Sequence, residues 1–203
     1  MNVLDCARKM QAIAHNGLVF TLDPFDRERY QQLQALADSL LAGELQLLPQ
    51  SIGPLLQLDE GYVTPKVDVR GAVFRDESIL LVRERSDGKW SMPGGWVDVN
   101  DAPSEAVERE IFEESGYRAR AVKLAALFDR RRHPHPPSVH HIYKLLFLCD
   151  LVGGTPSLSN ETDAVDFFPM GALPPLSTGR ITAAQIERMF EHHRRRELPT
   201  DFD

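Results

Sequence analysis

Glu110, Glu113 and Glu114 stand at i, i+3 and i+4 in Arg109-Glu110-Ile111-Phe112-Glu113-Glu114-Ser115-Gly116, a segment that reads as a helix with a stop. At 3.6 residues per turn the three carboxylates fall within an arc of about 100° on one face. Like charges held that close repel one another. They become favourable around hard divalent cations, because Mg²⁺ and Mn²⁺ prefer carboxylate oxygens. An acidic helix face is usually just solvated. Here, however, Gly94-Gly95 precedes the helix, Arg109 adjoins the first acid, and Gly116 follows the last by two residues. That combination predicts a metal site for phosphate chemistry.

The elements that must position these acids follow from periodicity. Val67 to Phe74 and Ile79 to Glu84 are β-branched and apolar runs around the turn Arg75-Asp76-Glu77-Ser78, which predicts a hairpin. Lys89-Trp90-Ser91-Met92-Pro93 leads into the glycine pair. Ala121 to Phe128, His141 to Leu151 and Val165 to Phe168 read as further strands, and a last helix runs from about Thr182 to Arg196. Pro103 suits the first turn of the acidic helix, where its missing N–H costs nothing. Strands flanking one helix, with another at the end, predict an α/β sandwich.

The N-terminal part predicts two amphipathic helices. Val3, Leu4, Ala7, Met10, Ile13 and Ala14 recur at helical spacing before a stop at Gly17; Leu33, Leu36, Ala37, Leu40 and Leu41 do so before Gly43, after a cap at Asp23 or Asp26. Such a hairpin cannot bury both stripes alone, and a homodimer is expected. A DNA-reading helix-turn-helix is the rival reading, but the second helix lacks a basic face. Residues 44–65 read as a linker punctuated by Pro49, Gly53, Pro54, Gly61 and Pro65. The expected division is therefore a helical extension with linker, 1–60, and a second domain, 61–203.

With 203 residues, 42% hydrophobic content and a net charge of −7, the chain can bury a sizeable core and is a poor candidate for sequence-independent nucleic-acid binding. Cys6 and Cys149 are far apart, which suits a reducing compartment. Met1 to Asn16 mixes Asp5, Arg8 and Lys9 with apolar residues and does not read as a secretory signal. No apolar run approaches membrane-spanning length. A cytoplasmic protein that does not enter membranes is expected. His133, His135, His140 and His141 match no usual zinc spacing.

The pattern from Gly95 to Gly116 resembles the signature of the Nudix (MutT-like) hydrolases. Gly95, Arg109, Glu110, Ile111, Glu113, Glu114 and Gly116 match at that family's spacing. Asp101 stands where the family usually has Glu, and Tyr117 where it usually has an aliphatic residue. The resemblance covers about Lys66 to the C-terminus. It implies a mixed sheet between helices, an α/β/α sandwich. It also implies Mg²⁺ or Mn²⁺ held by Glu110, Glu113 and Glu114 with the Gly94 carbonyl completing the shell. Asp101 would then steady Arg109, whose fork orients the carboxylates. Family members with diphosphate substrates often carry a loop acid where this chain has Ser159-Asn160-Glu161-Thr162-Asp163; Glu161 is the expected base or additional ligand, with Asp163 second. Glu105 and Glu108 point away from the three acids and are assigned to solvent. Trp90 is assigned to the core. Arg130, Trp96 and Tyr143 are candidates for substrate contact, and Gly95 and Gly116 shape the motif.

The N-terminal hairpin resembles that of a bacterial subgroup within the family, as do Tyr143–Gly154, Glu161-Thr162, Phe167-Phe168-Pro169 and Leu173-Pro174-Pro175-Leu176-Ser177. Its members form dimers and are described as ADP-ribose or CDP-choline pyrophosphatases. The expected reaction is hydrolysis of a nucleoside diphosphate-X substrate to a nucleoside monophosphate and a phosphorylated partner. Alternatives are a nucleoside triphosphate or RNA 5′-end pyrophosphohydrolase on the same metal site, and a Nudix-fold module that senses a nucleotide without turnover.

Overall fold

Helices α1 (Val3–Phe20) and α2 (Pro24–Leu45) form the expected hairpin in a computed structural model that describes residues 2–56, 62–98 and 100–203. The Asn2 side chain accepts from the Asp5 amide, and Asp23 accepts from the amides of Phe25 and Asp26, satisfying donors that no helical carbonyl can reach. The stops expected at Gly17 and Gly43 are not stops. Both glycines lie inside their helices, and Gly17 instead makes room for the Tyr30 ring, which a Cβ would meet at 2.4 Å. Helix α2 ends at Gln46, in the left-handed conformation. Part of the expected linker is also helical: after a 3-10 turn at Pro49–Ser51 comes α3 (Ile52–Leu56), ordered because Ile52 is buried with Leu4, Ala7, Leu41 and Ala42. Residues 57–61 of that linker lie outside the described residues.

The contacts divide the chain into two units, residues 1–66 with Pro137–His141, and residues 67–136 with 142–203. In the first, Val139 packs against the small core of α1, α2 and α3.

Among the described residues seven strands form the sheet: β1 (Lys66–Arg75), β2 (Ser78–Glu84), β3 (Trp90–Ser91), β4 (Tyr117–Asp129), β5 (Ile142–Gly154), β6 (Thr162–Pro169) and β7 (Asp201–Phe202). Their order is β3-β2-β1-β5-β4-β7, with β6 antiparallel to β2 from Ser78↔Pro169 to Glu84↔Thr162. Helix α4 (Pro103–Ser115) packs on one face and α5 (Ala183–Arg194) on the other. The period of two along β1 divides the core: Val69 and Val73 face Val107 and Ile111 of α4, whereas Ala72 and Phe74 join Ile186, Met189 and Phe190 of α5. This is the α/β/α sandwich that the resemblance implied. Gly71 lets α4 lie close on β1, since a Cβ there would fall 2.5 Å from Ile111 Cδ1. β4 and β5 are longer than the sequence suggests, and β7, unpredicted, pairs parallel with β4 through Ala126↔Asp201 and Leu127↔Phe202.

Candidate active site

The acids ride on α4, which ends where the sequence places its stop: Gly116 is left-handed (φ 76°), and its amide donates to the Phe112 carbonyl. The helix faces the segment Met92–Val97, which β1 holds by its backbone. Gly71 N–H donates to Pro93 O, Val69 N–H to Gly95 O, and Val97 N–H to Val67 O. Gly94 adopts φ +142°, and a Cβ on it would lie 2.0 Å from Val69 O, so no other residue fits. Its amide donates to Glu114 Oε2 at 2.9 Å. Glu110 lies against Gly95, its Oε2 3.0 Å from where a Cβ would stand. The glycine pair thus lets backbone and carboxylates approach as side chains would forbid.

The Arg109 guanidinium lies among four carboxylates. One terminal nitrogen donates to Glu110 at 2.8 Å and Glu113 at 3.1 Å; the other reaches Asp101 at 3.3 Å and Asp98 at 3.5 Å. The shorter Asp101 still makes the contact. Glu113 is exposed, whereas Glu114 is buried. Burial pushes the Glu114 carboxyl up to about 8, against the pull of Arg70 and the Gly94 amide, with Glu84 and Glu110 raising it further. Burial also raises Glu110, partly offset by Arg109.

Among the described residues no three His, Cys, Asp or Glu side chains converge closely enough to share one ion. In kind the residues fit a hard cation. They offer only oxygen donors, two beside a main chain stripped of side chains, and the exposed Glu113 has room to turn.

The Ser159–Asp163 stretch is not all loop, since Thr162 and Asp163 already belong to β6, and it is tied to this helix, for the Thr162 hydroxyl donates to the Glu114 carbonyl at 2.7 Å. Glu161 is exposed there, its amide donating to Ser159 Oγ. Asp163 instead accepts from Arg83 at 2.6 Å, a bond that holds its carboxyl below the usual range. Glu105 is exposed, but Glu108 corrects the assignment to solvent: it accepts from the Ala121 amide at 2.8 Å, where the register of β4 shifts. Trp90 packs on the α5-side core, and Trp96 and Tyr143 are 48% and 38% exposed. Arg130 is buried and reaches Gly179 O at 3.5 Å. His135 Nδ1 meets Thr178 O at 2.7 Å, and burial lowers its pKa to about 4. His133 lies by Asp203, while His140 and His141 belong to the first unit.

A set of buried charges escaped sequence reasoning. The Arg70 guanidinium donates to Asp68 at 3.0 Å and to Met92 O at 3.2 Å, at the entry to the glycine turn. Lys144, almost wholly buried on β5, pairs with the other oxygen of Asp68, and burial lowers its pKa to about 8. Glu84 is buried between Arg70 and Arg180. Its Oε1 lies 3.1 Å from Arg180 Nε, near enough to pair yet not aligned as a hydrogen bond. The one signal was the alternation Val67-Asp68-Val69-Arg70, which period-two reading turns toward solvent.

Comparison with known proteins agrees with this geometry. The NUDIX domain model matches residues 64–190, and a model described as a UDP-X-like, N-terminal oligomerisation domain matches residues 1–56. The chain belongs to the Nudix hydrolase family and is an enzyme of that class. It is 42% identical over 200 residues to YjhB of Bacillus subtilis (strain 168), provisionally named an ADP-ribose pyrophosphatase; the match covers 98% of this chain and 96% of that one. Among solved structures, an ADP-ribose pyrophosphatase from Streptococcus suis 89-1591 is 39% identical, with a TM-score of 0.65 over 69% of this chain and all of its own. A UDP-X diphosphatase is 34% identical, with a TM-score of 0.65 over the full length of both. No described helix is long and apolar enough to cross a membrane.

Proposed function

We propose that this enzyme hydrolyses the diphosphate bond of nucleoside diphosphate-X substrates of the ADP-ribose type, releasing a nucleoside monophosphate and a phosphorylated X. The observation that carries the reading is the apposition of Glu110 and Glu114 to the Gly94–Gly95 backbone, with Arg109 clasping Glu110 and Glu113. The likeness to YjhB over nearly the whole chain supports ADP-ribose as the leading substrate, and the full-length likeness to a UDP-X diphosphatase supports the wider nucleoside diphosphate-X class. CDP-choline belongs to the same class.

Glu110, Glu113, Glu114 and the Gly94 carbonyl would hold Mg²⁺ or Mn²⁺. When bound, the metal supplies charge neutralisation for the phosphates and acidifies water. The chain's own residues do the rest. Arg109 fixes the carboxylates, the glycine pair keeps side chains out of the ion's way, and Glu161, on the loop tied to α4 through Thr162, takes a proton from the attacking water. The enzyme works as a homodimer, a reading supported by the oligomerisation-domain match and by Leu36 and Leu40, which α2 leaves exposed.

The test is product analysis with Mg²⁺ and, separately, ADP-ribose, CDP-choline, a UDP-sugar and a nucleoside triphosphate. AMP and ribose 5-phosphate are expected from ADP-ribose. Pyrophosphate from the triphosphate alone would replace this reading with the triphosphate pyrophosphohydrolase.

A further inference from the structure

β1 holds the glycine turn through its main chain at Pro93, Gly95 and Val97, and through a side chain just upstream. Arg70 Nη1 donates to Met92 O at 3.2 Å and to Ser91 Oγ at 3.5 Å; the Ser91 hydroxyl itself donates to Met92 O at 3.0 Å. Met92 is fully buried. By the period of two, Arg70 leaves β1 on the face it shares with Ala72 and Phe74, away from α4. The turn is therefore gripped by two charged side chains. Arg70 takes the Met92 carbonyl and, two residues on, Glu114 takes the Gly94 amide.

Arg70 is itself aimed. Its Nε donates to Asp68 Oδ1 at 3.0 Å, and Lys144 Nζ pairs with Asp68 Oδ2. All three side chains are buried, Lys144 to 1% exposure. Burial works against the Arg70 charge, but Asp68, then Glu114 and Glu84, more than restore it. Ions buried in this way add little stability even when paired, and apolar residues of similar size serve a core as well. Their placement supplies another reason. Among the described residues, the main-chain atom that this set bonds is Met92 O, at the entry to the turn. A guanidinium donates in a rigid fork, so anchoring Nε on Asp68 fixes the direction from which Nη1 meets the carbonyl; an ammonium has no such fork.

We propose that Arg70 is a positioning residue for the metal cradle: held by Asp68 and Lys144, it fixes the entry of the glycine turn and thereby where the Gly94 backbone stands opposite Glu114. The inference rests on the proposed function in taking that backbone and the acids of α4 to hold a divalent cation.

The experiment uses the full chain with Arg70→Lys, Asp68→Asn and, as a control, Phe190→Leu in the core on the α5 side. Each is titrated with Mn²⁺ alone, the free ion counted by paramagnetic resonance and the tightest site followed. Thermal unfolding and the Mg²⁺ dependence of ADP-ribose hydrolysis are measured beside it. Arg70→Lys keeps a charge next to Asp68 but loses the fork, and should weaken Mn²⁺ binding about 10-fold, the lower end of what partners of metal ligands contribute. Half-maximal activity should need more Mg²⁺ by a similar factor, while kcat at saturating Mg²⁺ should change little. Asp68→Asn, which leaves Arg70 in place and loosens its aim, should show the same pattern to a smaller degree, and it carries the test if Arg70→Lys does not fold. Phe190→Leu should lower the melting temperature yet bind Mn²⁺ as the parent does. Parental Mn²⁺ affinity in the Arg70 and Asp68 variants, or an equal loss in Phe190→Leu, would overturn the proposal. A parent that binds Mn²⁺ but hydrolyses no nucleotide would count against the proposed function alone, and the Mn²⁺ titrations would still decide this one. A parent that binds no Mn²⁺ would overturn both.

Discussion

The main-chain amide of Gly94 donates a 2.9 Å hydrogen bond to the buried Glu114 carboxylate, joining the turn after β3 to the last turn of α4. Across that bond the backbone is unusual and the acid is costly to bury, and each makes the other tenable.

Gly94→Ala should therefore damage stability and activity together. The new methyl group meets Val69 O at 2.0 Å in a backbone region L residues avoid, and neither main chain can yield because β1 straps the segment on both sides. The expected loss is at least about 1–3 kcal/mol of stability, the usual cost of one such strained residue. Thermal or urea unfolding of the variant measures it, and an unchanged midpoint would show that the turn can relax.

Glu113→Gln separates chemistry from folding. Its side chain is exposed and touches only Arg109 among the contacts described, so melting should shift little. Activity should fall by about 100-fold or more, since even outer partners of metal ligands cost up to that much. Full activity with Mg²⁺ would remove Glu113 from the proposed metal shell.

Asp201 gives a pH dependence with a definite sign. Hydrogen bonds from Arg188, then His192, hold its carboxyl at about 2, below the usual 3.8. A depressed carboxylate contributes stability above its unfolded pKa and loses it as pH falls through the folded value. Asp201→Asn should thus be less stable than the parent at pH 7 by about 1 kcal/mol, after discounting for the open side of the group. Between pH 4 and 2 the two should converge. Parallel curves over that window would refute the assignment.

Leu36→Glu with Leu40→Glu tests assembly. Both leucines are exposed on α2, at 60% and 41%, so the monomer fold should survive. Light scattering should report a dimer for the parent and a monomer for the variant. A monomeric parent ends the dimer reading.

How much of this was legible beforehand depends on how local each cause is. The acidic helix, its Pro103 start and its Gly116 stop are set by neighbours within one turn, and a single sequence displays them. So are the cap at Asp23 and the β1–β2 hairpin. Gly17 misled because its reason for being glycine is the Tyr30 ring, thirteen residues on. Asp68, Arg70, Glu84 and Lys144 could not be read as a buried group, since β5 and the segment before α5 bring their partners from far along the chain. β7 has two residues, too few for any period, and depends on the grip of Arg188 and His192 on Asp201. Glu108 looked solvated because its acceptor role answers an irregularity in β4 that no pattern on its own helix reveals.

Gly71 carries none of the chemistry, yet it fixes a mechanical dimension. It is the shim between sheet and helix: a methyl group inserted against Ile111, which is fully buried and cannot swing away, lifts α4 bodily off β1. Glu110, Glu113 and Glu114 would keep their spacing and recede together from the glycine turn. The clearance between acids and backbone is thus set by an atom that is missing from the middle of a strand.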